Sequence, residues 1–267
     1  MRYLILVLCF FITPCAFPMG GGKISLDNAI DKAVARYGLQ TEPQLKGFFT
    51  AAKIAYPPSD IALLAFKKER EVQLWAKDEQ SSWRFIHAYP LTAFSGRLGP
   101  KLKERDMQIP EGVYRLTSFN PFSTYHLSMM ISYPNNFDRL QASKDGRKQL
   151  GGNIFLHGKA MSVGCLAIGD KAIDQLFLLV RRVGLGHSQI IIAPNDLRKD
   201  KPATSSFAQP TWLPALYKEI ATALQRFPVT TNLKSIAAKS IANQPLKVAS
   251  KQQAVKKPAD TKTIAEK

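Results

Sequence analysis

Acidic residues are scarce in this chain of 267 residues: 20 Asp and Glu stand against 37 Lys and Arg, a formal charge of +17. That excess favours polyanionic surroundings (nucleic acid, anionic lipid or an acidic wall polymer) and by itself selects none of them. Cysteine is scarcer still, at three, and two of these, Cys9 and Cys15, stand near the N-terminus. What remains cannot build a disulfide framework. Histidine occurs four times, without the spacing of zinc ligands. No apolar run reaches the roughly 20 residues of a membrane helix. With 45% hydrophobic residues, the composition excludes collagen-like, wholly disordered and polytopic membrane classes. There is no internal repeat, and no basic-aromatic motif of a nucleic-acid binder.

What is present begins with Met1-Arg2 followed by the uncharged run Tyr3–Ile12 and Pro14. This fits a secretory signal peptide over residues 1–19, or a retained anchor, and predicts an exported protein. Cleavage after Ala16, or a few residues later, leaves Cys165 as the single thiol. Residues 20–58 read as an N-terminal helical segment. Its helix spans 25–38, with Ser25 as cap and Gly38 as stop. From Asp60 to about Asn195 the pattern changes to short strands: 61–66, 72–76, 83–89, 112–118, 125–133, 153–157 and 189–193. Pro110-Glu111-Gly112 and Pro134-Asn135-Asn136 supply turn chemistry between them. The expected fold is mainly β with flanking helices (α+β), a largely antiparallel sandwich or barrel-like sheet. One helix follows Cys165, capped by Asp170 and ended by Gly184. A second, about 211–227 within the segment 196–229, packs on the sheet. Residues 230–267 carry eight lysines against Asp260 and Glu266, with no aromatic residue. They read as a basic disordered tail, either inert or a tether to an anionic envelope polymer or membrane surface.

The chemistry concentrates in Gly151-Gly-Asn-Ile-Phe-Leu-His-Gly-Lys-Ala-Met-Ser-Val-Gly-Cys-Leu-Ala-Ile-Gly-Asp170. A strand ends in His157-Gly158, a short loop follows, and Cys165 stands eight positions after the histidine. A free thiol is mostly protonated at neutral pH, and a neighbouring imidazole can take its proton and return it to a leaving amine. With His157 beside it, Cys165 is expected to have a lowered pKa. No nearby carboxylate is evident to orient the ring, so a backbone carbonyl is a candidate. The N–H groups of Gly164 and Cys165 are candidate oxyanion donors. Ser162 either orients His157 or is a turn residue. The opposing reading is a buried Cys and a buried His on neighbouring strands.

The stretch resembles the L,D-transpeptidase catalytic (YkuD-type) domain, whose signature is a strand ending in His-Gly and then Ser/Thr-x-Gly-Cys. Val163 replaces the histidine usual before Gly-Cys and the loop is short, as in the YafK-like branch. Tyr89-Pro90, Ser95-Gly96, Leu98-Gly-Pro-Lys101, Gln108-Ile-Pro-Glu-Gly-Val-Tyr114, Asn120-Pro121, Tyr125-His-Leu-Ser128 and Tyr133-Pro-Asn135 are similar to that branch's blocks. The resemblance implies a catalytic domain over residues 59–195 of a bacterial periplasm or envelope enzyme. Its substrates would be peptidoglycan stem peptides, taken through a cysteine thioester. It implies Cys165 as nucleophile, His157 as general base and acid, and the Gly158 carbonyl as orienter. Gly164 and Cys165 would be oxyanion donors, with Tyr125 and His126 near substrate. No metal or organic cofactor is implied. An amine acceptor would make it a transpeptidase active in wall biogenesis and cell shape. Water would make it a cysteine hydrolase, including an amidase that releases a wall-anchored lipoprotein. A non-catalytic basic wall-binding module is the rival from another class.

Overall fold

The computed structural model describes residues 25–229. The expected signal segment, with Cys9 and Cys15, and the lysine-rich tail 230–267 lie outside the described residues. Within them, eight strands form one curled mixed sheet carrying four α-helices, an α+β arrangement. In chain order the elements are α1 (Leu26–Ala52), β1 (Ile61–Phe66), β2 (Glu71–Lys77), β3 (Trp83–Pro90), β4 (Gly112–Asn120), β5 (Ser128–Ile131), α2 (Asn136–Lys144), β6 (Phe155–His157), β7 (Leu166–Ala167), α3 (Asp170–Val183), β8 (Ser188–Ala193) and α4 (Leu213–Leu224). The lateral order is β3-β2-β1-β8-β4-β5-β6-β7. The β1–β8 and β6–β7 pairs are parallel and the other five antiparallel. No helix among the described residues is long and apolar enough to cross a membrane.

Strand β1 is apolar at every position, and β8 over residues 190–193, because both sheet faces are covered there. Ile61, Leu63 and Ala65 of β1 point into the core shared with α1 and α3, while Ala62, Leu64 and Phe66 point into the one shared with α4. β8 alternates in the same way, with Ile190 and Ile192 on the first side and Ile191 and Ala193 on the second. On the α4 side, Trp75, Trp83 and Phe227 meet edge-on or tilted, closing the β2–β3 end.

Three elements depart from the sequence expectation, each for a local reason. Helix α1 starts where Ser25 accepts from the Asn28 N–H at 3.2 Å, but it runs on through Gly38 and Pro43 to Ala52. Gly38 is no stop: it is a buried residue inside the helix, packed beside Leu178 of α3, where a Cβ would make ordinary contact at 3.7 Å. Arg181 pairs with Asp31 at 2.9 Å and Arg182 with Glu42 at 2.8 Å across that contact. The turn read at 134–136 opens helix α2 instead. The Asn135 side chain accepts from the Asp138 N–H and Asp138 from the Asn135 N–H, both at 2.9 Å, which is a capping box. The strand expected over 125–133 shortens to Ser128–Ile131, because His126 adopts φ +76° and leaves the extended region.

One polar cluster inside the core ties the long 91–111 connection to the sheet. Lys67 and Glu111 are wholly buried and paired at 3.0 Å. The Lys67 ammonium spends its other donors on the carbonyls of Gly99 (2.8 Å) and Ile109 (2.9 Å). Glu111 accepts from the Gly99 N–H at 2.8 Å and from the Tyr217 hydroxyl of α4 at 3.0 Å. Burial pulls the Lys67 amine below its usual range, while the Glu111 charge works to keep its proton. Asp106 folds the rest of the loop, accepting from the N–H groups of Leu102, Lys103 and Gln108 and pairing with Lys101 at 2.6 Å. Lys67→Met, which strands the Glu111 charge, is expected to cost about 3–5 kcal/mol in urea unfolding. Lys67→Met with Glu111→Leu should recover only part, since the Gly99 N–H and Tyr217 hydroxyl then lack an acceptor. A loss below about 1 kcal/mol for the single change would show the pair to be dispensable.

Candidate active site

The site lies where the C-terminal end of β6 meets the loop that leads into β7. His157 is the last residue of β6 and is buried, 2% exposed. Its Nδ1–H donates to the Gly158 carbonyl at 2.7 Å, which leaves Nε2 with the lone pair. The Tyr125 ring covers it, centroid to centroid at 4.7 Å. Burial holds the His157 imidazole below its ordinary pKa, partly offset by the Gly158 carbonyl. The resting ring is therefore neutral at pH 7, in the tautomer a base needs.

Cys165 immediately precedes β7 and is half-buried. The parallel register sets Leu166 beside Leu156 and Ala167 beside His157. Paired neighbours in a sheet share a face, so Ala167 and His157 face the same way, with Cys165 two residues before Ala167. The thiol's hydrogen bond nevertheless runs to the Asn153 carbonyl, at 3.8 Å, and not to the imidazole. The expected acidified thiol is not what this environment produces. Burial pushes the Cys165 thiol up, and the Phe155 N–H and the Lys101 ammonium only oppose that rise. At rest, both the thiol and the imidazole are uncharged.

The loop between them is held by a closed ring of hydrogen bonds. The Gly164 N–H donates to Ser95 Oγ at 2.7 Å. Ser95 and Ser162 hydroxyls lie 2.9 Å apart, and Ser162 donates to the Cys165 carbonyl at 2.7 Å. Because Ser162 spends its proton on that carbonyl, Ser95 is the donor between the two hydroxyls. Two expectations change. Ser162 does not touch His157; it anchors the backbone of the cysteine. The Gly164 N–H is not a free oxyanion donor, since Ser95 occupies it. The Cys165 N–H, without a partner among the described residues, is the donor left beside the thiol. Gly164 is required by conformation and space together: φ is +97° and a Cβ would stand 3.0 Å from the Gln108 carbonyl.

Gly158 is equally constrained, since a Cβ there would lie 2.6 Å from Asp170 Oδ1 and 2.8 Å from the Tyr125 carbonyl. Asp170 does not cap α3 as expected. Gly169 is the N-cap, and Asp170 accepts the Lys159 N–H at 2.7 Å. Thr92 holds the Lys159 carbonyl at 2.6 Å. Tyr125 thus comes to the site through His157. His126 turns away and binds Asp174 at 2.6 Å. Of the remaining histidines, His87 stacks on Phe48 and burial pushes it down to about 4, and His187 pairs with Asp60 at the surface. Among the described residues no three His, Cys, Asp or Glu side chains group as a metal site. A separate groove of about 1000 Å³ between α2, α4, β4 and β8 contains neither Cys165 nor His157. Ser95, Lys101 and Asp106 escaped notice in the sequence. Only the Ser95-Gly96 and Leu98-Gly-Pro-Lys101 blocks pointed near them.

Residues 61–192 match the family model described as the L,D-transpeptidase catalytic domain. The protein YafK of Escherichia coli K12 is 28% identical over 183 residues, covering 67% of this chain and 64% of its own length. The chain therefore spans about 64% of the curated relative it matches. Among solved structures, the helical cell shape determining protein Pgp2 from Campylobacter jejuni aligns at 18% identity and TM-score 0.43, over 66% of this chain and 57% of that one. Bdellovibrio bacteriovorus Bd1075 aligns at 22% identity and TM-score 0.38, over 65% and 57%.

Alkylation of Cys165 in the free protein should be slow at pH 7 and should rise through a midpoint above that of an ordinary thiol, because burial disfavours the thiolate. Lys101→Met should move that midpoint higher still, as it removes an opposing positive charge. A midpoint below an ordinary thiol's, read from rate against pH, would contradict this.

Proposed function

The domain at residues 61–192 belongs to the L,D-transpeptidase catalytic domain family, and from that premise we propose that the chain is a cysteine acyltransferase acting on peptidoglycan stem peptides in the bacterial envelope. The observation that carries the reading is the disposition of His157 and Cys165: they close the two ends of one loop between the paired strands β6 and β7, and the imidazole is held neutral with its Nε2 lone pair free. Since both groups rest uncharged, the proton moves only as substrate arrives. Nε2 takes the thiol proton, and Sγ attacks the carbonyl carbon of the third, L-centred stem residue. The oxyanion forms beside the Cys165 N–H. As the intermediate collapses, the imidazolium gives its proton to the departing amine of D-alanine, leaving a thioester on Sγ. An acceptor amine then attacks the thioester, loses its proton to Nε2, and the thiol is regenerated.

Hydrolysis is the second reading, and one observation favours it. Met161 and Val163, in the loop before the thiol, are 59% and 62% exposed and apolar, and the Ser162 hydroxyl between them is spent on the Cys165 carbonyl, so this part of the loop offers no free polar side chain to select an amine. Water would then compete, giving a carboxypeptidase or an amidase that frees a wall-attached lipoprotein. Non-catalytic wall binding is the reading an intact Cys165→Ala activity would leave.

Incubation with tetrapeptide muropeptides, with and without a competing D-amino acid, decides among these by mass analysis. Cross-linked or exchanged stems are expected. Cys165→Ala should abolish them, and His157→Ala should lower turnover by about 10²–10⁴-fold. Tripeptides alone would establish the hydrolase. No product from folded protein with a free thiol would overturn both enzymatic readings.

A further inference from the structure

His126 sits in a conformation uncommon for a non-glycine residue, though less so for histidine, and makes contacts that the catalytic scheme does not use. Its φ is +76°, in the left-handed region, where a non-glycine residue needs outside support. Two contacts supply that support. Its Nε2–H donates to Asp174 Oδ1 of α3 at 2.6 Å, with both side chains largely buried. The Tyr37 ring of α1 meets its face edge-on, with centroids 4.7 Å apart. Burial raises the Asp174 carboxyl, and the bond to His126 opposes that rise.

The strained residue borders the catalytic histidine on two sides. Its chain neighbour Tyr125 covers the His157 ring, and its own Cβ would lie 3.1 Å from a Cβ at Gly158, the residue whose carbonyl holds His157 Nδ1. The Gly158 N–H in turn donates to the Leu127 carbonyl at 3.2 Å. Residues 125–127 therefore form one wall of the imidazole pocket, and His126 is the point at which that wall is pinned to both helices. We propose that the His126–Asp174 pair, buttressed by Tyr37, is a positioning device that sets the His157 ring against the thiol. The proposal deepens the acyltransferase reading, on which it rests for its kinetic consequence. It also draws α1 into the site, although Tyr37 lies outside the matched residues 61–192.

The test uses the full chain with four substitutions. His126→Asn keeps a residue tolerant of the left-handed region but removes the ring. Asp174→Leu removes the acceptor, Asp174→Asn retains an accepting oxygen, and Tyr37→Leu removes the buttress. Three quantities are read: melting temperature, kcat and KM on tetrapeptide muropeptides, and the His157 ring titration by NMR. In His126→Asn and Asp174→Leu, kcat should fall on the order of tenfold. KM should stay within about twofold. The His157 midpoint should move up toward an ordinary histidine's, because the Tyr125 cover loosens. Tyr37→Leu should do the same to a smaller degree, and Asp174→Asn should restore most of kcat. A folded Asp174→Leu with unchanged kcat and His157 titration would overturn the proposal. So would an Asp174→Asn as impaired as Asp174→Leu. If Asp174→Leu does not fold, Tyr37→Leu decides by the same readings. If the wild type turns over no muropeptide, the acyltransferase reading fails, while the His157 titration still decides on positioning.

Discussion

A lysine and a glutamate sealed in the core are the constraint on which the catalytic loop depends. Removing two charges from water is costly, and the pair is tolerated only because every donor and acceptor around it is used. Lys67 belongs to the end of β1, Glu111 to the approach to β4, and Tyr217 to α4, so three distant parts of the chain meet at one charge pair. What the pair holds is the 91–111 connection, and that connection in turn holds the thiol. The Gln108 carbonyl backs Gly164, and Ser95 takes the Gly164 N–H. A polar cluster inside the core therefore reaches the nucleophile without touching it.

The electrostatics of the site suit a thiol that stays dormant. A cysteine acidified at rest would sit as a thiolate in an oxidising compartment, where the thiolate is the form that oxidises. Here burial keeps Cys165 protonated, and in the proposed mechanism the neutral His157, with its free Nε2, supplies activation only when a carbonyl is presented. The Lys101 ammonium, fixed by Asp106, moderates the cost of forming the thiolate without abolishing it.

The sequence made some of this legible and hid the rest for identifiable reasons. His157, Gly158 and Cys165 could be read because their relation is local: eight residues, one loop, glycines where the backbone turns tightly. Strand β1 and the 190–193 stretch of β8 could be read from their apolar runs, whereas two-residue β7 left no period to detect. The use made of the Gly164 N–H could not be read, because its acceptor Ser95 stands 69 positions away. The extension of α1 past Gly38 was hidden because glycine is a common helix stop and nothing beside it marks the exception. Asp170 was read as a helix cap because the sequence supplies the right residue at the right place. A competing donor, the Lys159 N–H, claims it instead. At Gly164 a partner distant in the chain overrode a sound local rule.

The serine ring has a consequence for timing. It fixes the Gly164 N–H on one side and the Cys165 carbonyl on the other, so the peptide plane between these residues is trapped by both neighbours. That plane carries the Cys165 N–H. The same donor therefore points the same way when the first tetrahedral species forms and when the second does. In the proposed mechanism, the anion cradle need not be rebuilt between acylation and deacylation. Whichever acceptor arrives second meets a site already organised by the first, with little reorganisation energy left to supply.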